Sequence, residues 1–311
     1  MYLYNVLDET IDNILLKKYD LAIFACGYEE RCTAIPRKLN KENISETVVI
    51  GFSEETQGDQ REINNKYFHD EWTTKIYEAS SNDEQKLYEV LNNILDLKND
   101  ELRVLVDYSS MSRLWYAGIL NWIKYVSGPN IIFVDMLYTP GLQKEKVTPI
   151  VINNILSIPG CEGSATSLFK TIAIFGLGFD SHAALCVLDR LEPDMYYTFL
   201  AAPTIFDDYP KHVYKINSEL ISGAENTLEL PLFSVERTYV NLAEIVSLHK
   251  NEADIVFVPM GPKPQVLASI LISMKFGEVT CLRVSTIDGC KENIHSSGHI
   301  IATGLVFYLE K

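Results

Sequence analysis

Residues 22–31 read AIFACGYEER, and residues 173–182 read AIFGLGFDSH. Each is an apolar run that ends on glycine, an aromatic and an acidic residue, and the two stand 151 positions apart. A short apolar run stopped by glycine is the pattern of a strand buried on both faces of a parallel sheet. Outward from the first copy, ETVVIGF (46–52), LRVLVDYSS (102–110) and NIIFVDMLY (130–138) supply three further strands. Outward from the second, MYYTFLAAP (195–203), ADIVFVPMGPKP (253–264) and VTCLRVST (279–286) follow in the same order. The offsets are 151, 148, about 150 and about 150 residues, so the chain reads as a tandem duplication of one α/β unit.

Helices fall between the strands. The pattern predicts them over residues 8–18, Glu29–Leu39, the end of QGDQREINNKYFHDEW (57–72), 83–97 and 111–126. In the fourth, Leu87, Val90, Leu91, Ile94 and Leu95 share one face. Strands alternating with helices imply right-handed crossovers and mostly parallel sheets. The expected fold is therefore α/β: two tandem Rossmann-like units, 1–157 and 168–311, related by a pseudo-two-fold, with IPGCEGSATS (158–167) as the linker. HIIATGLVFYLEK (299–311) adds a strand at the C-terminal edge.

Composition narrows the function. The 311 residues are 47% apolar with mean hydropathy near zero, enough for a packed core in each half. A net charge of −15 argues against long duplex nucleic acid as a partner, because phosphate binding rests on surplus Lys and Arg. A small anion in a locally basic pocket remains compatible with it. No stretch reads as a secretory signal or membrane span, and six cysteines without a CxxC pair suit a reducing cytoplasm. HSSGH (295–299) contains Gly298 and reads as a turn, so no metal site is expected.

In doubly wound sheets, ligands bind outside the carboxyl ends of the strands, where the strand order reverses. DYSSMSR (107–113) lies there. Ser109, Ser110, Ser112 and Arg113 at a helix start suit a phosphate or other anion, and Asp107 can accept a ribose hydroxyl or orient the loop. The alternative is that Ser109 or Ser110 caps the helix while Arg113 packs its stem on aromatic neighbours. PMGPKPQ (259–265) is the counterpart, with Gly261 for close approach and Lys263 as its cation, or it is a rigid turn with a solvated lysine. In GYEER, Gly27 turns the backbone, Tyr28 can stack on a base, and Arg31 can pair with Glu29 or Glu30. EETQGDQR (54–61) either closes over a ligand through Gln57, Asp59 and Arg61 or is a solvated connector. Gly176 and Gly178 begin a dinucleotide fingerprint, but Ser181 stands at its third glycine, so no NAD or other cofactor is expected, and no GxxxxGK[ST] loop is present. Acid–base candidates are His182, with Asp180 beside it, and Glu29; the alternative for His182 is a capping or packing residue, and for Glu29 a helix cap.

DYSSMSR, a strand ending in aspartate followed by small hydroxyls and a basic residue opening a helix, resembles the Asp-x-Thr-Gly-Gly-Thr-Lys loop of CRISPR-associated Rossmann-fold (CARF) and SAVED-like sensor domains. The resemblance implies a bacterial anti-phage sensor that binds a nucleotide-like ligand, such as a cyclic oligonucleotide, between its halves. Asp107, Ser109, Ser110, Ser112, Arg113, Gly261 and Lys263 would line the site, and a separate effector protein or a homodimer would complete the system. DYSSMSR lacks the family loop's two glycines, and PMGPKPQ lacks its aspartate. Two alternatives stand beside the sensor: an enzyme acting on a phosphodiester or N-glycosidic bond, and a protein-interaction module.

Overall fold

A computed structural model describes residues 1–54, 56–94, 99–142, 152–164, 170–286 and 293–309. Leu95 of the predicted helix stripe and residues 165–167 of the predicted linker lie outside them. The chain forms two compact units, Met1–Lys144 with Lys291–Lys311, and Glu145–Cys290.

Unit 1 contains β1 (Tyr2–Glu9), α1 (Ile11–Leu16), β2 (Tyr19–Cys26), β3 (Ile44–Phe52), α2 (Asp59–Trp72), β4 (Ile76–Ala79), α3 (Gln85–Ile94), β5 (Glu101–Asp107), α4 (Arg113–Tyr125) and β6 (Ile131–Tyr138). Unit 2 contains β7 (Ile152–Ser157), β8 (Thr171–Gly176), α5 (Ser181–Leu191), β9 (Met195–Ala201), α6 (Tyr209–Ile216), α7 (Ser218–Ser222), β10 (Thr227–Leu230), α8 (Val235–His249), β11 (Asp254–Pro259), α9 (Lys263–Lys275) and β12 (Thr280–Thr286). The last strand, β13 (Ile301–Tyr308), returns to unit 1.

The first sheet runs β1-β13-β6-β5-β2-β3-β4 and the second β10-β9-β8-β11-β12-β7. From β6 to β4, and from β10 to β12, every pairing is parallel. This is the doubly wound α/β architecture that the strand spacing predicts, present twice. The order reverses between β2 and β5 in unit 1 and between β8 and β11 in unit 2, which places the switch points beside Cys26 and Gly176. Phe24, Val49 and Leu105 in the first unit, and Phe175, Leu200 and Val258 in the second, carry the cores and are fully buried. No helix among the described residues is long and apolar enough to cross a membrane.

Four local expectations change. The N-terminal segment is an edge strand and a single short helix: Leu3 and Val6 alone are buried in β1, which pairs antiparallel with β13. Glu29–Leu39 forms short 3₁₀ turns, Glu30–Thr33 and Pro36–Lys38, because Pro36 has no N–H to carry a helix ladder. The C-terminal strand is interior to the first sheet, between β1 and β6, and does not close the second half. Residues 152–157, inside the 1–157 boundary of the first repeat, form an unpredicted strand, β7, that pairs antiparallel with β12 in unit 2. The compact units therefore divide near 144 and 291, unlike the 1–157 and 168–311 division of the sequence repeat. Each antiparallel partner buries an edge that the repeat alone would leave open.

Candidate functional site

In unit 1, β2 ends at Cys26 and the chain turns at Gly27, while the parallel neighbour β5 ends at Asp107. The turn is held from α2: Asn64 donates through Nδ2 to the carbonyls of Gly27 and Glu29, both at 2.9 Å. Glu29 then accepts from Arg31 Nε at 2.8 Å, from Arg31 Nη2 at 3.2 Å and from Ser110 Oγ at 2.8 Å. Burial alone would depress the Arg31 guanidinium, but the Glu29 charge and its hydrogen bonds outweigh that and fix it as a cation.

Behind this pair, Ser109 donates to Asp107 Oδ1 from its backbone N at 3.0 Å and from Oγ at 2.5 Å, and Ser109 Oγ accepts from Thr139 N at 2.8 Å. Ser109 is wholly inaccessible to solvent and Asp107 nearly so. The helix cap is Ser112, which accepts from Trp115 N at 3.2 Å, and not Ser109 or Ser110. The structure thus brings Glu29, Arg31 and Ser110 together, and Asp107 with Ser109, in hydrogen bonds that fix two loops. Arg113 opens α4 and is half-buried.

The sequence did not reveal the segment that crosses these loops. Arg31 N donates to Ile294 O at 3.2 Å, and Glu30 N to Asn293 Oδ1 at 2.8 Å. Leu142 N donates to His295 O, Ser297 N donates to Pro140 O, and Glu30 contacts His295. The chain leaving unit 1 and the chain returning to it are therefore paired across GYEER.

Beside this segment, at the carboxyl end of β3 and the start of α2, lies a cleft of about 450 Å³. Tyr28, Glu54, Gln57, Asp59, Gln60 and Asn293 are among its lining residues. Arg61, also at its wall, is buried and donates to Glu78 at 2.6 Å, to Phe52 O at 3.0 Å and to Asn65 at 2.8 Å. Of EETQGDQR, then, Gln57 and Asp59 face the cleft while Arg61 braces it. Burial acts to raise the Glu54 carboxyl, but donors from Ser80 and Ser81 outweigh it and hold it below the ordinary value of 4.5.

In unit 2 the glycines have a packing role. A Cβ on Gly178 would lie 2.5 Å from Met260 O, and one on Gly261 would lie 3.0 Å from Leu177 O. The loops after β8 and β11 thus touch backbone to backbone. Asn217 Nδ2 donates to Gly178 O at 2.9 Å, the counterpart of Asn64 and Gly27. Asp180 caps α5 by accepting from Ala183 N at 3.1 Å, and His182 is exposed, with Nε2 3.8 Å from Cys186 Sγ. Glu29 belongs to unit 1 and the other two acid–base candidates to unit 2, where Asp180 is occupied as a cap. Lys263 opens α9 as Arg113 opens α4.

Asn64 and Asn217 are the residues that sequence reasoning passed over. For Asn64 the available signal was an asparagine among the inward positions of a helix, where a polar group needs a specific partner; Asn217 stands at the junction of α6 and α7. No protein-family model and no curated protein matches the chain.

Proposed function

We propose that the protein is a binding protein, a sensor for a small nucleotide-like molecule, and that unit 1 takes this ligand in the cleft beside Tyr28. The observation that carries the reading is the position of that cleft: it adjoins the carboxyl ends of β2 and β3, next to the reversal of strand order, where this architecture binds its ligands. Tyr28 offers a ring face to a base. Glu54 and Asp59 accept from sugar hydroxyls, and Gln57, Gln60 and Asn293 supply carboxamides that donate and accept. With two carboxylates in the lining, the cleft favours the sugar and base of such a ligand over its phosphate, so a nucleoside binds about as well as its phosphate ester.

A binding role fits better than catalysis because Glu29 is engaged with Arg31 and Ser110, and Asp107 with Ser109. Asn293 supports a signalling use, since it lines the cleft from the segment that re-enters unit 1 and accepts from Glu30 N in GYEER. A separate effector would read the resulting change.

Calorimetry and thermal-shift scans against nucleosides, mono- and dinucleotides and cyclic oligonucleotides test the reading. At least one of them stabilises the wild type, and Tyr28→Ala and Asp59→Ala each abolish that effect. If no member of the panel stabilises the protein, or if both variants respond like wild type, the cleft is not a nucleotide site.

A further inference from the structure

Equivalent polar side chains in the two units end differently. In unit 1, Asn64 donates to Gly27 O and its own Oδ1 accepts from Gln60 Nε2 at 3.0 Å. In unit 2, Asn217 donates to Gly178 O, but its Oδ1 is buried with no hydrogen-bond partner. The second pair behaves in the same way. Trp115, third in α4, donates to Ser80 O at 2.8 Å, and Gln265, third in α9, donates to Leu230 O at 3.3 Å. Trp115 has no acceptor to satisfy, whereas Gln265 Oε1 is buried and unpaired. Gln265 is 1% exposed and Asn217 2%.

Both orphan oxygens belong to one corner. Asn217 holds Gly178, Gly178 packs on Gly261, and a Cβ on Gly261 would lie 3.0 Å from Gln265 Oε1. The corner is the switch point of unit 2, at the N-terminal end of α9. That helix end has no side-chain cap and no acidic residue in its first turn, and it begins with Lys263. Its potential is positive and favours an acceptor. Two acceptors and one positive helix end describe a complementary ligand edge that carries a donor and an acceptor side by side. A phosphate offers acceptors only and leaves Gln265 facing negative oxygen.

We infer that this corner of unit 2 is a second binding site, and that it takes the amide-like edge of a nucleobase, ring N–H toward Gln265 and Asn217 and carbonyl oxygen toward the start of α9. In the present conformation the two oxygens are sealed, so entry requires the 260–263 loop to lift. Met260, Pro262 and Lys263 in that loop are only half-buried, and Gln265 Oε1, which lies against Gly261, lacks a donor while the loop is down. The inference rests on the nucleotide-like reading for its choice of ligand and is independent of the unit 1 cleft for its residues.

Hydrogen exchange on the intact chain with uridine as the probe tests it. Uridine slows exchange over 176–180 and 260–266, and N3-methyluridine, which lacks the ring donor, binds about tenfold more weakly or worse. Gln265→Met reduces uridine binding to the level of the methylated probe. The variant stays as stable in urea as wild type or more so, because an unpaired oxygen is removed and Leu230 O keeps its bond from Ala202 N at 2.9 Å. No slowing at 176–180 and 260–266, or equal binding of the two probes by wild type, overturns the inference. Slowing confined to 54–62 overturns it while leaving the unit 1 cleft intact, and slowing confined to the corner does the reverse.

Discussion

Asn64 donates to the carbonyl oxygen of Gly27 at 2.9 Å, and the same bond, at the same length, joins Asn217 to Gly178. The glycines are 151 residues apart and the asparagines 153. What the duplication repeats is thus a lock: a carboxamide from the helical segment after the second parallel strand fastens the first turn after the first parallel strand. Asn64 carries more, because it also holds Glu29 O. Asn64→Leu leaves the buried Gly27 carbonyl and the half-buried Glu29 carbonyl without that donor and should cost about 2 kcal/mol in urea unfolding. Asn64→Asp removes the donor while keeping the shape, and should destabilise at least as much. A loss within error of zero for both would show that the turn is held elsewhere.

Gly178 and Gly261 make a backbone contact that no side chain can share. Gly178→Ala would place a Cβ 2.5 Å from Met260 O, and a carbonyl cannot rotate aside as a flexible side chain can. The expected loss is about 1–3 kcal/mol. Gly277→Ala is the control, because no atom lies within 4 Å of its added methyl and its backbone angle is ordinary. Equal stability of the two variants in the same denaturation series would contradict the contact.

The strands were legible because β2, β3, β5 and their counterparts are buried on both faces and so read as unbroken apolar runs. The edges were not. β1 has only Leu3 and Val6 buried, and nothing local in INNILS or IATGLVFY states that β7 pairs with β12 while β13 returns to β6. Register and partner are settled by long-range packing. DYSSMSR was found at the right place for a site, but its residue types do not say which way they point. Asp107 and Ser109 turn inward to satisfy each other and Thr139, a choice that depends on β6 lying alongside. Tyr28 and Asp59, by contrast, were visible from their positions after β2 and at the start of α2, and both line the cleft.

The Glu29–Arg31 pair should resist partial removal more than complete removal. Their side chains are 12% and 7% exposed, so Glu29→Gln leaves a buried guanidinium without its counter-charge and should cost about 3 kcal/mol or more. The double variant Glu29→Gln/Arg31→Met removes the charge with the partner and should be less destabilised than Glu29→Gln alone. Additive losses in the double-mutant cycle would mean that the two residues do not act as a pair.

Asp135 sets a pH dependence whose sign follows from its surroundings. It is 5% exposed in β6, accepts from Lys17 Nζ at 3.0 and 3.1 Å and from Tyr19 OH at 2.8 Å, and feels the charge of Glu9. Burial raises its carboxyl above the ordinary 3.8, and Lys17 and Tyr19 offset this only in part. The folded state therefore keeps a proton where the unfolded chain has lost it. Its contribution is most favourable below 3.8 and declines as pH rises from there through the folded value. Asp135→Asn removes that decline and leaves Lys17 its bond to Glu9 at 3.1 Å. The stability of wild type minus that of Asp135→Asn, from urea titrations at successive pH values, should fall across this interval and then level off. A difference that rises with pH would mean that Lys17 outweighs burial and that the carboxyl is depressed.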